Sequence, residues 1–383
     1  MARAAVERLG PRVVRGLVIG GAGAHLEPGE APGLEFIEAG HPLPTAESER
    51  AGRRALALAA SVAGDETFLV FLSGGASSLM AVPAADLTIE DKRETTERLL
   101  KAGADIVALN TVRKHMSAIK GGRLAAGVRG RSVTFAISDV VGGDPSHIAS
   151  GPTVPDSSTA QDALDLLNAH GGVGMYPRAV VKYLRRVVAG EIDDSPKPGD
   201  VRLARATSRV IGSGRDAVDG AASEARLRGY DTTVLQTPVV GEARVAARDH
   251  LGGVAACAAS LRRPACIISA GETTVRVVGR GTGGRNQEFA LGALSAMTVL
   301  GTSAVLASVG TDGVDGPTAA AGAIIDSTSL DRARALGLPS PEWFLADNNA
   351  HAFFAATGDL IHTGPTDTNV GDLQVVLLGR ERE

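Results

Sequence analysis

The sequence predicts an α/β fold with two domains, because short apolar strands alternate with helical segments in two successive halves of the chain. At 383 residues the chain is long enough for two domains and for a large core. Residues 67–72 (TFLVFL) are a continuous apolar run, which is typical of a buried parallel strand. The alternation stops at residues 191–200 (EIDDSPKPGD), a linker candidate with two prolines, and then restarts. We therefore predict two doubly wound halves, over residues 1–195 and 201–383.

Composition excludes several classes of protein. The net charge of −4 and the absence of a basic run interleaved with aromatics argue against a nucleic-acid surface. No apolar run reaches the ~18–20 residues that a membrane helix needs, and the first residues lack a signal-peptide pattern. Cys257 and Cys266 are expected to be core residues in a reducing compartment, not a disulfide framework or metal ligands. We therefore expect a cytoplasmic protein that binds neither nucleic acid nor membrane.

In the first half, two Gly-rich loops follow predicted strands. Residues 17–20 and 36–39 read as strands and 46–63 as a helix; Gly20–Gly23 is half of a dinucleotide fingerprint, or a plain turn. The strand 67–72 leads into Ser73, Gly74, Gly75, Ala76, Ser77 and Ser78. A strand, a Gly/Ser loop and a helix start in succession point backbone N–H groups at an anion, although a tight turn would have the same pattern. The loop is not a Walker A sequence. We therefore predict an oxyanion or phosphate loop here.

One helix is predicted at residues 87–102, and a second follows it from residue 109. The second helix carries the basic residues of this half. Read at helical period over residues 109–124, one face gathers five polar or cationic side chains, and the other is apolar. The polar face consists of Asn110, Arg113, Lys114, Ser117 and Lys120. Gly121 and Gly122 are predicted to end this helix. An ordinary solvated face is the alternative, but cations with no interleaved acid are suited to bind phosphate or carboxylate.

Two carboxylates follow the next predicted strand, at residues 133–137. Asp139 and Asp144 lie just beyond the carboxyl end of this strand, a position suited to Mg²⁺ or substrate. Asp139 could equally cap a turn. Helices are predicted at residues 159–170 and 177–189.

The second half has its own unusual loops. Strands are predicted at residues 209–211, 232–236, 265–269 and 305–309, with an edge-like strand at 373–378, and helices up to 228, at 242–261 and at 289–297. The glycine-dense stretch 279–288 (GRGTGGRNQE) contains Gly283, Gly284, Arg285 and Asn286. A flexible linker has no need of these polar residues at a helix start, whereas an arginine there can clamp phosphate with two hydrogen bonds. Asp312 follows the strand 305–309, and Thr366 and Asn369 lie in the loop 364–372.

Eight segments together, in order and from about Gly16 to the end, resemble the glycerate 2-kinase family, whose carboxy-terminal part is called the MOFRL domain. The matching segments are SGGASSLM (73–80), LNTVRKHMSAIKGGRLA (109–125), SDVVGGDPSHIASGPTVPD (138–156), PKPGD (196–200), GETTVRV (271–277), GTGGRNQEFAL (281–291), GTDGVDGPTAAAGAIID (310–326) and TGPTDTNVGDL (363–373).

The resemblance implies a Rossmann-like first domain, a MOFRL-type second domain and an interdomain cleft. It implies ATP- and Mg²⁺-dependent phosphorylation of D-glycerate at its 2-hydroxyl, giving 2-phosphoglycerate. Family members have also been named hydroxypyruvate reductase, but a reductase would need a proper dinucleotide fingerprint, which this sequence lacks.

Phosphoryl transfer depends on positioning and charge neutralisation, and the predicted roles follow from that. Arg285, Lys120 and Asp312 are the predicted catalytic residues, with Arg285 stabilising the transferring phosphoryl group. Asp139 and Asp144 are the predicted Mg²⁺ ligands. The predicted substrate- and phosphate-binding residues are Ser73, Gly74, Gly75, Ser77, Ser78, Asn110, Arg113, Lys114, Gly283, Gly284, Asn286, Thr366 and Asn369.

The chain departs from the family pattern at its start. Family members normally begin with tens of residues more, including a Gly-x-Gly-Lys-type turn whose lysine is thought to be catalytic, and Gly20–Gly23 carries no lysine. Either the start codon is set too far downstream, or the first domain is shortened and the chain is an impaired remnant that only binds ligand. An uncovered sheet edge in a shortened domain would favour pairing with a second copy, so a homodimer is one expected assembly.

Overall fold

The computed structural model of the chain describes residues 1–24, 33–41, 43–139, 144–301 and 303–380. The chain divides into two compact units: unit 1 comprises residues 1–136 and 144–211, and unit 2 comprises residues 137–143 and 212–383. Helices and strands alternate in both units, which confirms the predicted α/β class. Among the described residues, no helix is both long and apolar enough to cross a membrane.

Unit 1 is built on two small sheets. Strands β1 and β2 pair in parallel, and β3, β4 and β5 form a second sheet in which β3 and β4 are parallel. The strands are β1 (Gly16–Gly20), β2 (Leu34–Glu38), β3 (Thr67–Leu72), β4 (Arg131–Ser138) and β5 (Ala206–Ser213), the last residues of β4 and β5 belonging to unit 2. The helices are α1 (Ala2–Leu9), α2 (Ala46–Ala60), α3 (Ala76–Leu79), α4 (Ile89–Lys101), α5 (Ile106–His115), α6 (Arg123–Ala126), α7 (Ala160–Ala169) and α8 (Arg178–Val188).

The longer helices of unit 1 begin where their sequences provide caps. Thr45, Thr88 and Thr159 each form a capping box at the start of α2, α4 and α7. Such a box satisfies two of the backbone N–H groups that a helix start leaves unpaired. Helices α4, α5, α7 and α8 then pack through a shared apolar core. That core includes Leu99, Val112, Leu167 and Leu184, all fully buried.

The prediction of one helix from residue 109 to Gly121 is wrong, because α5 already ends at His115. Ser117 instead pairs with Pro83 in an isolated β-bridge, and the backbone N–H of Ala118 donates to the carbonyl of Val82. These tertiary hydrogen bonds replace the helical ones. Lys120 therefore projects from an irregular turn, not from a helix face.

The segment predicted as a linker is part of unit 1. Ser195 is buried and its hydroxyl donates to Asp156, and Asp194 accepts from the backbone N–H of Ala160. The two prolines thus lie in a segment of unit 1 that hydrogen bonds to partly or fully buried residues hold in place. The predicted domain limits, 1–195 and 201–383, stay a prediction.

Unit 2 contains a mixed sheet with the order β11-β10-β9-β12-β8-β6, to which β7 is added beside β8. The strands are β6 (Asp231–Val234), β7 (Val239–Glu242), β8 (Ala265–Thr274), β9 (Ala304–Gly310), β10 (Gly322–Asp326), β11 (Leu360–Ile361) and β12 (Asp372–Leu378). The helices are α9 (Gly214–Leu227), α10 (Ala243–Ala258), α11 (Arg285–Leu294), α12 (Ser329–Ala335), α13 (Pro341–Ala346) and α14 (Ala350–Thr357).

Helices cover both faces of this sheet, and alternation along β8 shows why. Ile267 points into a core with Leu251 of α10 and Phe289 of α11, whereas Cys266 and Ile268 point into a smaller core with Val218 of α9. A strand buried on both faces needs successive apolar residues, which residues 265–268 of β8 provide. Both cysteines are free; Cys266 is buried in the core, as predicted, whereas Cys257 is only partly buried.

Two predictions for unit 2 are wrong. Strand β12 is not an edge strand, because it pairs along its whole length with both β8 and β9. Helix α11 begins at Arg285, four residues before the predicted start at Phe289, because its polar first turn is capped from elsewhere in the fold.

Strand register places two loops at one end of the sheet, beside the last residues of β8. Asp372, the first residue of β12, lies opposite Gly271 of β8 on one side and Gly310 of β9 on the other. The residues that follow Gly310 and those that precede Asp372 therefore leave the sheet at the level of Gly271, where β8 continues to Thr274 beside β7. This end carries the candidate residues of unit 2.

Candidate active site

The predicted anion loop of unit 1 has the predicted local geometry. Strand β3 ends at Leu72, and Gly75 adopts a left-handed conformation, φ 80°, as it enters the one-turn helix α3. Ser73 is exposed, and the loop stays partly open through Ser77. The hydroxyl of Ser77 lies 3.2 Å from that of Ser150.

Lys120 is held against this loop. Its Nζ donates to the carbonyl of Ser77 (2.8 Å), to the Ser77 hydroxyl (2.5 Å) and to the carbonyl of Ala149 (3.4 Å). Burial, followed by the positive charges of Lys92 and Arg113, holds the pKa of Lys120 well below its usual range. The ammonium group is thus surrounded by neutral acceptors and other cations.

The backbone beside Lys120 is strained. Ala149, Ser150 and Gly151 are all left-handed, with φ values of 53°, 59° and 62°. Such a conformation costs about 1–3 kcal/mol for each residue other than glycine, and it concentrates at functional sites. Sequence reasoning passed over Ala149 and Ser150, because neither residue type signals a positive φ.

Two further cations accompany Lys120. Arg113, on α5, is partly buried, and its pKa is lowered by burial. Lys92, on α4, is buried, with its Nζ 3.4 Å from the carbonyl of Val82. The sequence analysis missed Lys92, because the polar composition of α4 suggests a solvated helix.

Lys114 is paired with a carboxylate, so the prediction that it belongs to a group of unpaired cations is wrong. Its Nζ lies 3.3 Å from Asp156, a fully buried carboxylate. Burial would raise the pKa of Asp156, but hydrogen bonds from Ser158 and the charges of Lys114 and His115 outweigh it and lower the pKa. His115 also reaches Asp194, at 3.2 Å. Asn110 is buried on the same helix.

In unit 2, Arg285 is held by two carboxylates. Its Nε and Nη2 donate to the two oxygens of Asp372, at 2.7 and 3.0 Å, and its Nη1 lies 3.1 Å from Glu272. Burial would lower the pKa of Arg285, but the bonds to Asp372 and the charge of Glu272 outweigh it, so the pKa is raised. The guanidinium keeps its charge and, at 29% side-chain exposure, remains open to solvent.

The residues around Arg285 fix the start of α11. Asp315 accepts from the backbone N–H groups of Asn286 (3.0 Å) and Gln287 (2.8 Å), so the helix start already binds a carboxylate of the protein. Asn286 is buried and donates to Asp372 (2.9 Å) while accepting from Ser308 (2.7 Å). Asn286 therefore binds the same carboxylate, Asp372, that holds Arg285.

The glycines of this loop permit close packing. A Cβ at Gly284 would lie 2.2 Å from the Cγ of Asp315, and one at Gly283 would lie 3.3 Å from the backbone nitrogen of Ala350. Their predicted contact with phosphate stays a prediction, whereas their packing role is evident from these distances.

Loops beside Arg285 collect the other predicted residues of unit 2. Thr366 donates to the carbonyl of Thr311 (2.5 Å), and its N–H donates to the carbonyl of Asp312 (3.0 Å). Asn369 donates to Asp139, at 3.3 Å. The structure thus brings Asp139, Asp312, Thr366 and Asn369 together around the sheet end defined by Asp372.

Glu272 is a second residue that the sequence analysis did not select. It follows Gly271 directly and is partly exposed. Its pKa is raised by burial and by the negative charges of Asp139, Asp372 and Asp312, which together outweigh the opposing charge of Arg285. Its position just beyond the predicted strand 265–269 was the available signal.

Metal ligation is not evident from the protein groups alone. Within the described ranges, no three His, Cys, Asp or Glu side chains form a cluster suited to hold a metal ion. Asp144, in unit 1, accepts from the backbone N–H of Ser146 at 2.8 Å, as in a turn. The predicted roles of Asp139 and Asp144 as metal ligands stay predictions.

Comparison with known proteins identifies the family. One family model, described as a domain of unknown function (DUF4147), matches residues 1–185, and the MOFRL family model matches residues 265–372. The D-glycerate 2-kinase of Thermotoga maritima is 38% identical over 99% of this chain and 88% of its own length. A protein of Agrobacterium vitis, provisionally named hydroxypyruvate reductase, is 39% identical over 90% of this chain and 78% of its own length.

A solved structure agrees with these matches. The crystal structure of the Thermotoga maritima glycerate kinase (EC 2.7.1.31) superimposes with a TM-score of 0.87 at 37% identity, covering 99% of this chain and 88% of that chain. The two domain models, the long alignments and the common fold have a single explanation: this chain belongs to the glycerate 2-kinase family.

Proposed function

We propose that this protein transfers the terminal phosphoryl group of ATP to the 2-hydroxyl of D-glycerate, giving 2-phosphoglycerate and ADP. Family membership supports a kinase that uses a nucleotide and a small hydroxy acid. The observation that carries the chemistry is Arg285, a permanently charged guanidinium fixed by Asp372 and partly open to solvent.

Arg285 is suited to stabilise the transferring phosphoryl group. In phosphoryl transfer the charge spreads over the oxygens of that group, and catalysis depends mainly on positioned positive charge. Asp372 occupies Nε and Nη2, so Nη1 is the nitrogen left to meet a ligand. In this structure Glu272 pairs with Nη1, at 3.1 Å. An incoming phosphoryl group would share that nitrogen with Glu272.

The neighbouring carboxylates are suited to handle the substrate hydroxyl. Asp312, predicted to be catalytic, lies beside Thr366 and is suited to orient the 2-hydroxyl. Glu272 is the better proton acceptor, because burial and nearby negative charges raise its pKa and so strengthen it as a base. The hydroxyl oxygen attacks phosphorus, the bond to ADP breaks, and Glu272 takes the hydroxyl proton.

The unit 1 residues are suited to bind an oxyanion of the reactants. Ser73, Ser77 and the glycines between them follow a strand end, and Lys120 is fixed to Ser77. Arg113 adds a second charge on α5. Together they would bind the carboxylate of glycerate or a phosphate of the nucleotide.

Magnesium fits these residues only as a partner of the nucleotide. Mg²⁺ is commonly bound by one or two protein carboxylates together with substrate phosphates, and it neutralises phosphate charge. Of the predicted ligands, Asp139 would hold it together with the nucleotide phosphates, since it is a partly exposed carboxylate whose charge acts on Glu272.

The proposal is tested by ADP release from ATP, Mg²⁺ and D-glycerate, with phosphorus NMR of the product. Formation of 2-phosphoglycerate is expected. A folded sample that releases no ADP, or one that makes 3-phosphoglycerate, would overturn the proposal. The same sample with hydroxypyruvate and NAD(P)H tests the reductase alternative, for which we expect no cofactor oxidation. Light scattering on that sample tests the predicted homodimer.

A further inference from the structure

Lys92, Arg113 and Lys120 form a cluster of cationic side chains in unit 1 whose charges act on one another; Lys92 and Lys120 are buried and Arg113 is partly buried. Among the described residues, none of the three has a carboxylate within ion-pair distance, and Lys120 has only neutral acceptors, namely Ser77 and the carbonyl of Ala149. Within the same part of the chain, the acceptor for Lys92 is the carbonyl of Val82, at 3.4 Å. Within the described ranges, Arg113 has no hydrogen-bond or ion-pair partner for its guanidinium.

The cluster is held together by a shared backbone group. The carbonyl of Val82 accepts from Nζ of Lys92 (3.4 Å), from the hydroxyl of Ser117 (3.1 Å) and from the N–H of Ala118 (3.0 Å). Lys92 on α4 is thereby fixed to the irregular segment that also carries Lys120. Arg113 is on α5, which precedes that segment and packs on α4.

Charged groups on neighbouring segments act on Lys92. Arg113 and Lys120 are positive, and Glu49 of α2 is the negative group that acts on Lys92. Glu49 is already paired with Arg53, at 2.5 Å. Buried charges are costly unless they are neutralised, so the cluster has an excess of positive charge that the described residues do not balance.

We infer that Lys92, Arg113 and Lys120 form one binding site for a small oxyanion, a carboxylate or a phosphoryl group, and that Lys92 contacts it directly. The site rests on the proposed function only for the source of that oxyanion, which is the glycerate carboxylate or a phosphate of the nucleotide. Arg113 and Lys120 were predicted to bind substrate; the contribution of Lys92 comes from the structure alone.

A structural lysine and an anion-binding lysine predict opposite effects of Lys92→Met. Methionine keeps the apolar stem and removes the charge. If Lys92 serves the fold, the variant has a lower thermal midpoint. If it serves an anion, the variant without ligand has an equal or higher midpoint at pH 6, because an uncompensated buried charge has been removed.

The anion response separates the two roles further. Sulfate stands in for a phosphoryl group and D-glycerate supplies a carboxylate, with ionic strength held constant by NaCl. We expect each probe that binds to raise the thermal midpoint of the parent. By calorimetry, the same probe should bind at least tenfold more weakly to Lys92→Met than to the parent. Lys101→Met, an exposed lysine on the same helix, is the matched control and is expected to bind as the parent does. Response to sulfate alone assigns a phosphate, and response to D-glycerate alone assigns the carboxylate.

Proton uptake tests the same site in the unaltered protein. Burial and the charge of Arg113 lower the pKa of Lys92 to about 7, so at pH 8 much of this lysine is neutral. A bound anion favours the charged form, and binding at pH 8 should therefore take up protons. Calorimetry in two buffers of different ionisation enthalpy measures this uptake, which should be smaller in Lys92→Met.

Three results would overturn the inference: a lower midpoint for Lys92→Met without ligand at pH 6, unchanged affinity for both probes in that variant, or binding at pH 8 without proton uptake. Each is separable from failure of the kinase proposal. A parent protein that binds anions through Lys92 but makes no 2-phosphoglycerate would keep this site and lose the function. An active kinase whose Lys92→Met variant binds both probes as the parent does would keep the function and lose this site.

Discussion

Asp372 accepts two hydrogen bonds from the guanidinium of Arg285, at 2.7 and 3.0 Å, while its own side chain is fully buried. Asn286 donates a third to the same carboxylate, at 2.9 Å. Bidentate pairing fixes the plane of the guanidinium as well as its place. The orientation of Arg285 is thus set from beneath by a residue that solvent does not reach.

Asp372→Asn should impair both stability and turnover. The amide nitrogen cannot accept from Arg285 or Asn286, so two donors lose part of their pairing. We expect the free energy of unfolding to fall by roughly 1–3 kcal/mol, less than for a fully buried pair because Arg285 is partly exposed. Misplacement of Arg285 should lower kcat by about 10²-fold, with a smaller change in KM for glycerate. Urea unfolding and steady-state kinetics provide the measurements.

Asp331→Asn is the matched control for that substitution. Asp331 pairs with Arg334 at 2.9 Å, but both side chains are largely exposed. Its effect on the free energy of unfolding should stay below about 1 kcal/mol, with kcat unchanged. Equal losses in the two variants would mean that the pair at Arg285 has no special role.

Arg285→Ala should abolish most of the turnover while glycerate still binds. Loss of one positioned arginine in phosphoryl transfer typically costs about 10³-fold or more in kcat. Arg280→Ala, an exposed residue of the same loop, should keep parental kcat. Circular dichroism checks that both variants are folded. Near-parental turnover in folded Arg285→Ala would remove this residue from the mechanism.

Glu272→Gln should remove the acid limb from the dependence of kcat/KM on pH. A carboxylate base works only when it is deprotonated, so kcat/KM should rise with pH through the pKa of Glu272, which lies above the ordinary glutamate value of 4.5. Glutamine has the same shape but cannot accept the proton, and kcat should fall by about 10²–10⁴-fold. Measurement of kcat/KM from pH 4 to 8, with the buffers held at constant ionic strength, tests this. An acid limb that persists in the variant would assign it to another group.

Gly284→Ala should destabilise the protein, because the added Cβ would lie 2.2 Å from the Cγ of Asp315. The carboxylate that caps α11 would have to move, and overpacking of this kind costs about 1–3 kcal/mol. Gly220→Ala is the control of opposite sign. Gly220 lies inside α9 with open space around its Cβ position, so alanine there should stabilise by about 0.5–1 kcal/mol. Thermal and urea unfolding of the pair compare the two; a Gly284→Ala variant as stable as the parent would contradict the packing role.

Local sequence signals predicted much of the scaffold. Strand β3 has the predicted limits, and α4 lies within the predicted helix 87–102, because an apolar β-rich run and a capping threonine act within a few residues. The turn after β3 and the short helix that follows it were likewise readable from the glycines and serines of residues 73–78. Arg285 was found because a polar cluster at a helix start is unusual.

Features fixed by distant contacts were not readable. The end of α5 depends on the pairing of Ser117 with Pro83. The central position of β12 depends on β8 and β9, which precede it by many residues. Lys92 is buried where Val82 and the segment before Lys120 pack against α4. A single sequence without its fold provides no sign of such encounters.

The alignment of Gly271, Gly310 and Asp372 across three neighbouring strands has a consequence for how this chain can change in length. A strand advances by about 3.3 Å per residue, so inserting two residues within β9 would carry Asp312 some 7 Å past Asp372. Under the proposed mechanism, insertions and deletions inside β8, β9 and β12 are therefore expected to impair turnover as replacement of Arg285 does, whereas the loops at the opposite end of the same sheet are expected to tolerate lengthening. Strand length in unit 2 then sets the geometry of the proposed site.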